Sequence, residues 1–173
     1  MILSTNRLTL RQFIAADAPF ILELLNQPSW IKNIGDRGVR IETDAVAYIE
    51  NGPMTSYHRH GFGLWCVERT ADGTPVGMCG ILQRDYLDSP DIGFAYLERY
   101  QGQGYGMEAA EATIAYARGT LQLDRMAAVV SPDNARSIRI LQRLGMRYVE
   151  PILLPGDAEP IALYRLPGAR PGP

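Results

Sequence analysis

A run of glycines followed by an amphipathic stretch is the feature of this sequence that points most directly to ligand chemistry. Gly102, Gly104 and Gly106 stand at alternate positions, so the backbone between them can turn tightly and direct several N–H groups toward one point. Apolar residues recur at helical spacing directly after them: Met107, Ala110, Ile114, Ala117 and Leu121. A helix N-terminus behind glycines carries free N–H groups, which predicts a phosphate-binding loop.

The residues before the glycines predict a strand. Segment 91–97 mixes β-forming residues with the small Gly93 and Ala95, which is typical of a strand that another molecule approaches closely. Two common phosphate-binding patterns do not fit. A P-loop needs Gly-Lys-Ser/Thr at the helix start, where this chain has Tyr105-Gly106-Met107. A dinucleotide fingerprint would lie in a βαβ unit near the beginning of the chain.

The order Gln-x-x-Gly-x-Gly at Gln101, Gly104 and Gly106, preceded by Ile92-Gly93-Phe94, resembles the acetyl-CoA loop of the GNAT N-acetyltransferases. An ordinary glycine-rich turn is the alternative interpretation of this loop. A second segment, 131–146, begins with helix-capping residues and ends on a glycine of the kind that closes helices. It resembles the GNAT helix that carries Asn-x-x-Ser and closes on Leu-Gly-Phe.

The resemblance covers nearly the whole chain and narrows to one branch of the family. Arg7-Leu8-Thr9-Leu10-Arg11 and Asn26-Gln27-Pro28 are similar to the branch that contains the ribosomal-protein Nα-acetyltransferases. The resemblance implies an α/β GNAT fold with a mixed sheet of about seven strands and about four helices. In this family two central parallel strands, here those at 91 and 125, splay apart, and the cofactor's pantetheine arm pairs with the first.

The order of elements along the chain agrees with that class of fold. Strands are predicted at 3–13, 61–70, 74–85, 91–97, 125–130, 146–154 and 159–166. The first helix is predicted to begin at Asp17 and to end at Pro28, and a loop packed by its own side chains follows over 29–40. A second helix is capped by Thr43 and closed by Asn51-Gly52-Pro53. The last two helices follow the glycine loop and Asn134.

Length and composition predict one soluble domain. The chain has 173 residues with 46% hydrophobic content, which suits a single domain at 1–166, and the Pro- and Gly-rich segment 167–173 is predicted to be mobile. A net charge of -2 argues against nucleic-acid or membrane partners, and the absence of a signal or membrane-spanning pattern points to the cytoplasm. Cys66 and Cys79 are expected to be free buried thiols, and no metal-ligand spacing is present.

Acetyl transfer to an amine requires a polarised thioester carbonyl, a base for the amine and a partner for the leaving thiolate. Backbone N–H groups of Phe94, Ala95 and Tyr96 are the candidates for the first task. Asp91 is the candidate base, because by resemblance it matches the strand position where some GNAT enzymes carry a catalytic glutamate. A solvated carboxylate at a strand end is the alternative for Asp91. Asp85, Glu98, His60 or a water chain remain substitutes for the base.

The proton donor departs from the commonest family pattern. Many GNAT enzymes carry a tyrosine four residues before the helix-ending glycine, where this chain has Leu141. Ser137 lies one turn earlier on the same helix face, and the ribosomal-protein branch resembles this chain in having serine there, its proposed thiolate partner. A serine that bonds its own backbone is the alternative. Asn134 is expected to contact the cofactor arm, or else only to cap the helix.

The resulting hypothesis is an acetyl-CoA-dependent N-acetyltransferase that acts without a metal, by direct attack of a primary amine in a ternary complex. The acceptor is a small-molecule or peptide amine, in a pocket walled by Trp30 and Tyr48. The alternative for these two residues is that they only pack in the core. A non-catalytic acyl-CoA-binding module and a protein-interaction domain are the alternatives, and the chain is either a monomer or a homodimer. The predicted cofactor contacts are Phe94, Ala95, Tyr96, Gln101, Gly102, Gln103, Gly104, Tyr105, Gly106 and Asn134.

Overall fold

Eight strands form one mixed sheet in the computed structural model, which describes residues 1–168. Every neighbouring pair is antiparallel except β5 and β6, which are parallel. The order across the sheet is β1 (Leu3–Ser4), β2 (Leu8–Arg11), β3 (Leu64–Arg69), β4 (Pro75–Leu82), β5 (Asp91–Tyr96), β6 (Met126–Val130), β8 (Ile161–Leu166) and β7 (Arg147–Ile152). The mobile segment predicted for 167–173 lies outside the described residues from 169 onward.

Six α-helices cover the sheet in the described part of the chain. They are α1 (Ala18–Leu25), α2 (Pro28–Asn33), α3 (Glu42–Ile49), α4 (Thr55–His60), α5 (Tyr105–Gly119) and α6 (Ala135–Arg143). Helix α5 packs its small buried residues against one face of the sheet, and α1 and α3 pack against the other. No helix among residues 1–168 has the length and apolar character needed to cross a membrane.

The alternation of side chains along β5 assigns its residues to two different layers. Successive strand side chains point to opposite faces of a sheet. Phe94 and Tyr96 pack in the core that contains α5, whereas Ala95 packs in the core that contains α1 and α3. Asp91 and Gly93 therefore share the face of Ala95. This face carries the cavity described below.

The parallel strands β5 and β6 separate soon after they meet. Their pairing is registered at Asp91 and Ala127, where the N–H of Ala127 donates to the carbonyl oxygen of Pro90 at 2.8 Å. On the other side, the N–H of Leu97 donates to the Val76 carbonyl of β4. Because N–H directions alternate along a strand, those of Phe94 and Tyr96 point into the gap toward β6. The predicted splay is therefore present.

The mixed α/β architecture is confirmed, and the sheet has one strand more than predicted. The single strand expected over 3–13 is wrong, because that segment folds back on itself as the hairpin β1–β2. The Thr5 hydroxyl oxygen accepts the N–H of Leu8 at 3.0 Å, and the Thr5 N–H donates to the Leu8 carbonyl. A turn that is closed by a threonine hydroxyl needs no glycine or proline, so the sequence did not show the usual turn residues at this point.

The predicted loop over 29–40 and the role of Pro28 are wrong in part. The first helix ends at Leu25, and Pro28 opens α2 instead of closing α1. Proline suits the first position of a helix because that N–H has no intrahelical partner. The third helix begins at Glu42 and not after a Thr43 cap, and the Asp44 carboxylate accepts the N–H groups of Arg40 and Ile41 at 2.9 and 3.2 Å.

The helix stop predicted at Asn51-Gly52-Pro53 is also wrong. The chain remains helical there through a wider π-type turn, 50–54, and continues as α4 to His60. The Thr55 hydroxyl donates to the Glu50 carbonyl oxygen at 2.9 Å, which satisfies an acceptor beside a proline that cannot donate. The helix stops at Gly61, whose φ of 76° is left-handed.

Both cysteines are free and buried, as predicted. Burial raises the pKa of each thiol to about 12, so both remain protonated at neutral pH. Cys79 lies within hydrogen-bond distance of the Thr113 hydroxyl at 3.3 Å, which ties β4 to α5. The two thiols therefore belong to the packing of the sheet.

Candidate active site

A cavity of about 970 Å³ opens on the face of the sheet that carries Asp91, beside the gap between β5 and β6. Its walls come from α2 and the loop after it, the ends of β4, β5 and β6, the start of α6 and the β7–β8 connection. Seven residues predicted from the sequence as site residues line this cavity: Trp30, Tyr48, Asp91, Phe94, Ala95, Asn134 and Ser137. The fold therefore brings the proposed base, the thiolate partner and the acceptor wall together.

Asp91 is a buried lining residue of this cavity and is paired with an arginine. The residue is 1% exposed, and both carboxylate oxygens accept from Nε of Arg84, at 3.0 and 3.1 Å. The Arg84 side chain is 30% exposed, and its Nη1 donates to the Tyr86 hydroxyl at 2.8 Å. Both partners line the cavity, but the carboxylate is almost fully buried whereas the arginine is partly exposed.

Burial raises the pKa of Asp91 to about 6, and the charge of Arg84 and its hydrogen bonds oppose that rise. A carboxyl with this pKa is mostly ionised at neutral pH and still accepts a proton readily. This balance is what a general base near neutral pH requires. A solvated carboxylate, the alternative considered from the sequence, does not describe a group buried to this extent.

The other candidate bases lie away from the cavity. Asp85 and His60 are exposed, and neither is among the lining residues. Glu98 accepts the backbone N–H of Ser29 at 3.0 Å and is likewise not a lining residue. Among the carboxylates and histidines weighed from the sequence, Asp91 alone reaches this space.

Ser137 and Asn134 meet at the first turn of α6. The Asn134 side-chain oxygen accepts the N–H of Ser137 at 3.1 Å, which is an N-cap interaction. Both residues line the cavity, together with Leu141 one turn further on. The Ser137 hydroxyl makes no hydrogen bond to any group of residues 1–168, so it is free to bond a ligand.

The glycine loop lies at the other end of β5, beyond the lining of this cavity. Gly102 and Gly104 have φ values of 77° and 84°, which a side chain would strain, and Gly104 precedes the first residue of α5. Within the described chain, no backbone N–H from Gly102 to Met107 donates to a carbonyl or side chain. This row of free donors fits a phosphate group.

Side chains from distant parts of the chain hold the loop in place. The Gln101 amide donates to the Tyr96 carbonyl at 3.0 Å and accepts from Arg136 of α6 at 2.5 Å. Arg7, in the β1–β2 turn, donates to the Gln103 carbonyl at 3.0 Å and lies over the Tyr105 ring at 4.8 Å. The loop is therefore shaped before any ligand arrives.

Arg7 is itself fixed by an acidic residue of α5. Its Nε donates to one Glu108 oxygen at 2.7 Å, and its backbone N–H donates to the other at 3.0 Å. The Thr5 hydroxyl donates to Glu108 as well, at 2.5 Å. The three contacts bind the N-terminal hairpin to the helix that begins at the glycine loop.

Trp30 and Tyr48 are both cavity residues and packing residues. The Trp30 indole is 5% exposed, packs with the core of α1 and α3, and donates from Nε1 to the Gly35 carbonyl at 3.0 Å. Burial raises the pKa of the Tyr48 hydroxyl. Each residue therefore packs in the core, as the alternative stated, and also lines the cavity.

Three arginines near the site, Arg84, Arg37 and Arg136, were not predicted from the sequence. Register could have indicated Arg84, because Leu82 at the end of β4 pairs with Asp91, and extending the alternation by two residues puts residue 84 on the same face. Arg37 lies in a loop, and Arg136 meets Gln101 through tertiary packing. Neither the position of Arg37 nor the contact of Arg136 has a local sequence signal.

The sheet with one splayed parallel pair, the glycine loop at a helix start and the buried carboxylate define an acyltransferase type of fold. The chain belongs to the GNAT family: the acetyltransferase (GNAT) domain model matches residues 7–147. The predicted family and the predicted N-acetyltransferase class are confirmed. The predicted extent of the domain, 1–166, remains a prediction.

Two curated relatives from Bacillus subtilis (strain 168) are similar in sequence. The uncharacterized protein YkkB is 35% identical over 107 residues, which span 61% of this chain and 61% of YkkB. The uncharacterized N-acetyltransferase YnaD is 28% identical over 147 residues, 85% of this chain and 83% of YnaD. The match to YkkB therefore spans about three fifths of that relative's length.

Solved acetyltransferases share the fold. An acetyltransferase from Agrobacterium tumefaciens str. C58 superposes with a TM-score of 0.79 at 28% identity, covering 94% of this chain and 92% of that one. A ribosomal-protein-S5-alanine acetyltransferase from Vibrio fischeri has a TM-score of 0.77 at 17% identity, covering 99% and 98%. At 17% identity this second likeness shows the fold alone, and the branch predicted from Arg7–Arg11 and Asn26–Pro28 remains a prediction.

Proposed function

We propose that this chain transfers an acetyl group from acetyl-CoA directly to a primary amine within a ternary complex. The observation that carries the proposal is the buried Asp91, with a pKa of about 6, in the same cavity as the free edge of β5. An N–C bond forms to the acetyl carbon, the C–S bond breaks, and the amine proton leaves to a base.

The cofactor would be held by backbone groups at two places. The unpaired N–H groups from Gly102 to Met107 suit the pyrophosphate, where they and the α5 N-terminus meet negative charge. The β5 edge suits the pantetheine arm, because the N–H groups of Phe94 and Tyr96 point into the gap toward β6. Of Tyr96 only the backbone borders that gap, since its side chain is buried against α5.

The same β5 edge supplies the electrophilic part of the mechanism. A backbone N–H at this edge can donate to the thioester oxygen as charge develops there, and its position is fixed by the sheet. Gly93 and Ala95 have small side groups that leave space on the cavity side of the strand, so an acceptor can approach the acetyl carbon. Asp91, on this same side, accepts the proton that the amine loses, and Arg84 fixes the direction of its carboxylate.

Ser137 is proposed to hydrogen-bond the departing sulfur, since its hydroxyl is free and lines the cavity. Ser137→Ala should therefore lose about 0.5–1.5 kcal/mol, up to roughly tenfold in kcat. The measurement is kcat across pH at saturating acetyl-CoA, with Ser131→Ala as a matched cavity control. A larger loss together with a shifted basic limb would contradict the hydrogen-bond role and assign proton donation to Ser137.

Activity is expected to need no metal. Each chemical task above falls to a protein group, so treatment with a chelator should leave kcat unchanged. The check is turnover before and after dialysis against EDTA. Loss of turnover that one specific ion restores would contradict this expectation.

The non-catalytic alternative finds no support among the comparisons. The acceptor is proposed to be a small-molecule or peptide amine, with neither nucleic acid nor membrane as partner. The decisive experiment is an acetyl-CoA turnover screen over amines and peptides that follows free thiol. Absence of turnover over the whole panel, with acetyl-CoA shown to bind, would favour the binding module instead.

A further inference from the structure

The acceptor side of the cavity carries more positive charge than the mechanism above uses, since only Arg84 has a part in it. Lys32 and Arg37 come from α2 and the loop after it, and Arg84 follows β4. Lys32 is the only lysine in the sequence, so its presence at the cavity owes nothing to a lysine-rich surface. Together these three residues are called the basic wall.

Two members of the basic wall have donors to spare. Within residues 1–168, Arg37 makes no hydrogen bond and no ion pair although it lines the cavity. Arg84 uses Nε for Asp91 and Nη1 for Tyr86, and its Nη2 donates to no described group. A guanidinium has five N–H donors in a fixed fork that matches a carboxylate. The free donors are therefore of the kind that binds a planar anion.

The charges of Arg37 and Arg84 both affect the pKa values of two tyrosines, of which Tyr48 lines the cavity. Burial raises the pKa of Tyr48, and the positive charges of both arginines oppose that rise. The same is true of Tyr86, where Arg84 acts more strongly than Arg37. Both arginines line the same cavity as Asp91, so their charges act in the space where an acceptor would bind.

Other lining residues of the same cavity carry negative charge. Asp133 precedes α6, and Asp157 and Glu159 lie in the β7–β8 connection. These three acids face a cavity through which an acceptor must pass as an ammonium ion, and they favour that approach. A ligand that carries an amine and a carboxylate can pair with the acids through its amine and with the basic wall through its carboxylate. A polyamine would instead bring positive charge against Arg37 and Arg84.

We propose that the acceptor of this enzyme carries a carboxylate close to its reactive amine, and that Arg37 with the free face of Arg84 binds that carboxylate. The inference rests on the proposed function and names its substrate class. The carboxylate can belong to a free amino acid or to an acidic residue beside a peptide N-terminus. In both, the amine lies at Asp91 while the anion lies against the basic wall.

The test compares amino acids with their amides. Glycine, glutamate and phenylalanine are assayed against glycinamide, glutamic acid diamide and phenylalaninamide, and Gly-Asp-amide against Gly-Asn-amide represents the peptide source. A carboxylate-bearing acceptor should exceed its uncharged match by about 10- to 100-fold in kcat/KM. Arg37→Gln should raise KM for the carboxylate-bearing acceptors, which removes most of that ratio. It should leave kcat/KM for the amides unchanged. Arg59→Gln, an exposed arginine of α4 outside the cavity, is the matched control.

A binding measurement separates this inference from the proposed function. With CoA present, calorimetry should show N-acetylglutamate binding more tightly than its diamide, and Arg37→Gln should remove the difference. If no amine turns over but this preference holds, the carboxylate site stands and the proposed catalysis fails. The carboxylate site would be overturned if amides or polyamines were acetylated as fast as the acids. It would also be overturned if the acid and the amide bound equally tightly, even where acetylation proceeds.

Discussion

Replacing Asp91 with asparagine is expected to slow turnover by about 10²–10⁴, because asparagine keeps the shape of the side chain and cannot accept a proton. Affinity for acetyl-CoA should change little, since the carboxylate lies on the acceptor face of β5 and not in the glycine loop. The measurement is kcat at saturating acetyl-CoA together with the dissociation constant of CoA. Near-wild-type turnover across the acid limb, including the pH range above 6 where the wild-type carboxyl is ionised, would remove Asp91 from the mechanism.

The control for this variant must separate chemistry from folding. Asp91→Asn leaves Arg84 without its charged partner, and removing one member of a buried pair is destabilising. The 30% exposure of the Arg84 side chain reduces that cost through solvent screening. A double variant, Arg84→Gln with Asp91→Asn, should recover thermal stability without recovering turnover. Recovery of turnover as well would mean that the single variant failed through folding.

The pKa of Asp91 also predicts that the contribution of this residue to stability and the activity change in opposite directions with pH. Its folded-state pKa, about 6, lies above the ordinary value of 3.8, so the folded state binds the proton more tightly than the unfolded state. The resulting stabilisation is complete below about pH 4 and is lost as the pH rises through 6. Turnover instead rises across the same range as the base ionises. Asp91→Asn should flatten both trends.

The second large effect is expected at the glycine loop. Acetyl-CoA at about a hundred times its dissociation constant should stabilise the native protein by about 2.7 kcal/mol, and Gly104→Val should abolish that gain. The φ of Gly104 is 84°, and a Cβ there would approach Arg7 Nη2 at 3.2 Å, so the loop would be strained and displaced from its anchor. The measurement is the thermal shift on adding acetyl-CoA, compared with the wild type.

Gly73→Val is the matched control for this prediction. Gly73 has a similar left-handed φ of 68° and lies in the β3–β4 hairpin, where an added Cβ would meet no atom within 4 Å. Both variants are destabilised by the strained backbone, on the order of 1–3 kcal/mol. Only Gly104→Val should lose the response to acetyl-CoA. An undiminished thermal shift in Gly104→Val would refute the assignment of the loop.

The parts of the fold that sequence predicted well are those that local physics decides. The glycine loop and α5 follow from alternate glycines and a helical apolar period, and the start of α6 follows from Asn134 and its cap. The β3–β4 hairpin follows from Asp72-Gly73. Each of these signals acts within a few residues, so no knowledge of the packed chain was needed.

The misplaced features depend on partners that are distant in sequence or on chemistry without a strong local signal. The β1–β2 turn is closed by the Thr5 hydroxyl, and the helix through Pro53 survives because the chain widens into a π-type turn there. The Arg84–Asp91 pair required the register of β4 against β5. The base was therefore predicted, while the arginine that holds it was not.

The contacts of Arg7 also bear on when the protein becomes able to bind its cofactor during folding. The ion pair of Arg7 with Glu108 joins residues 101 positions apart, and the bond to the Gln103 carbonyl spans 96. Closing a loop of that length costs entropy that only later contacts offset, so pairing of this kind slows folding. The helix can form locally, but the glycine loop reaches its native conformation only after the N-terminal hairpin has docked, because Arg7 of that hairpin bonds Glu108 and the Gln103 carbonyl. Acetyl-CoA therefore acts on a chain that has already collapsed, as a ligand that holds the finished fold and not as a template for it.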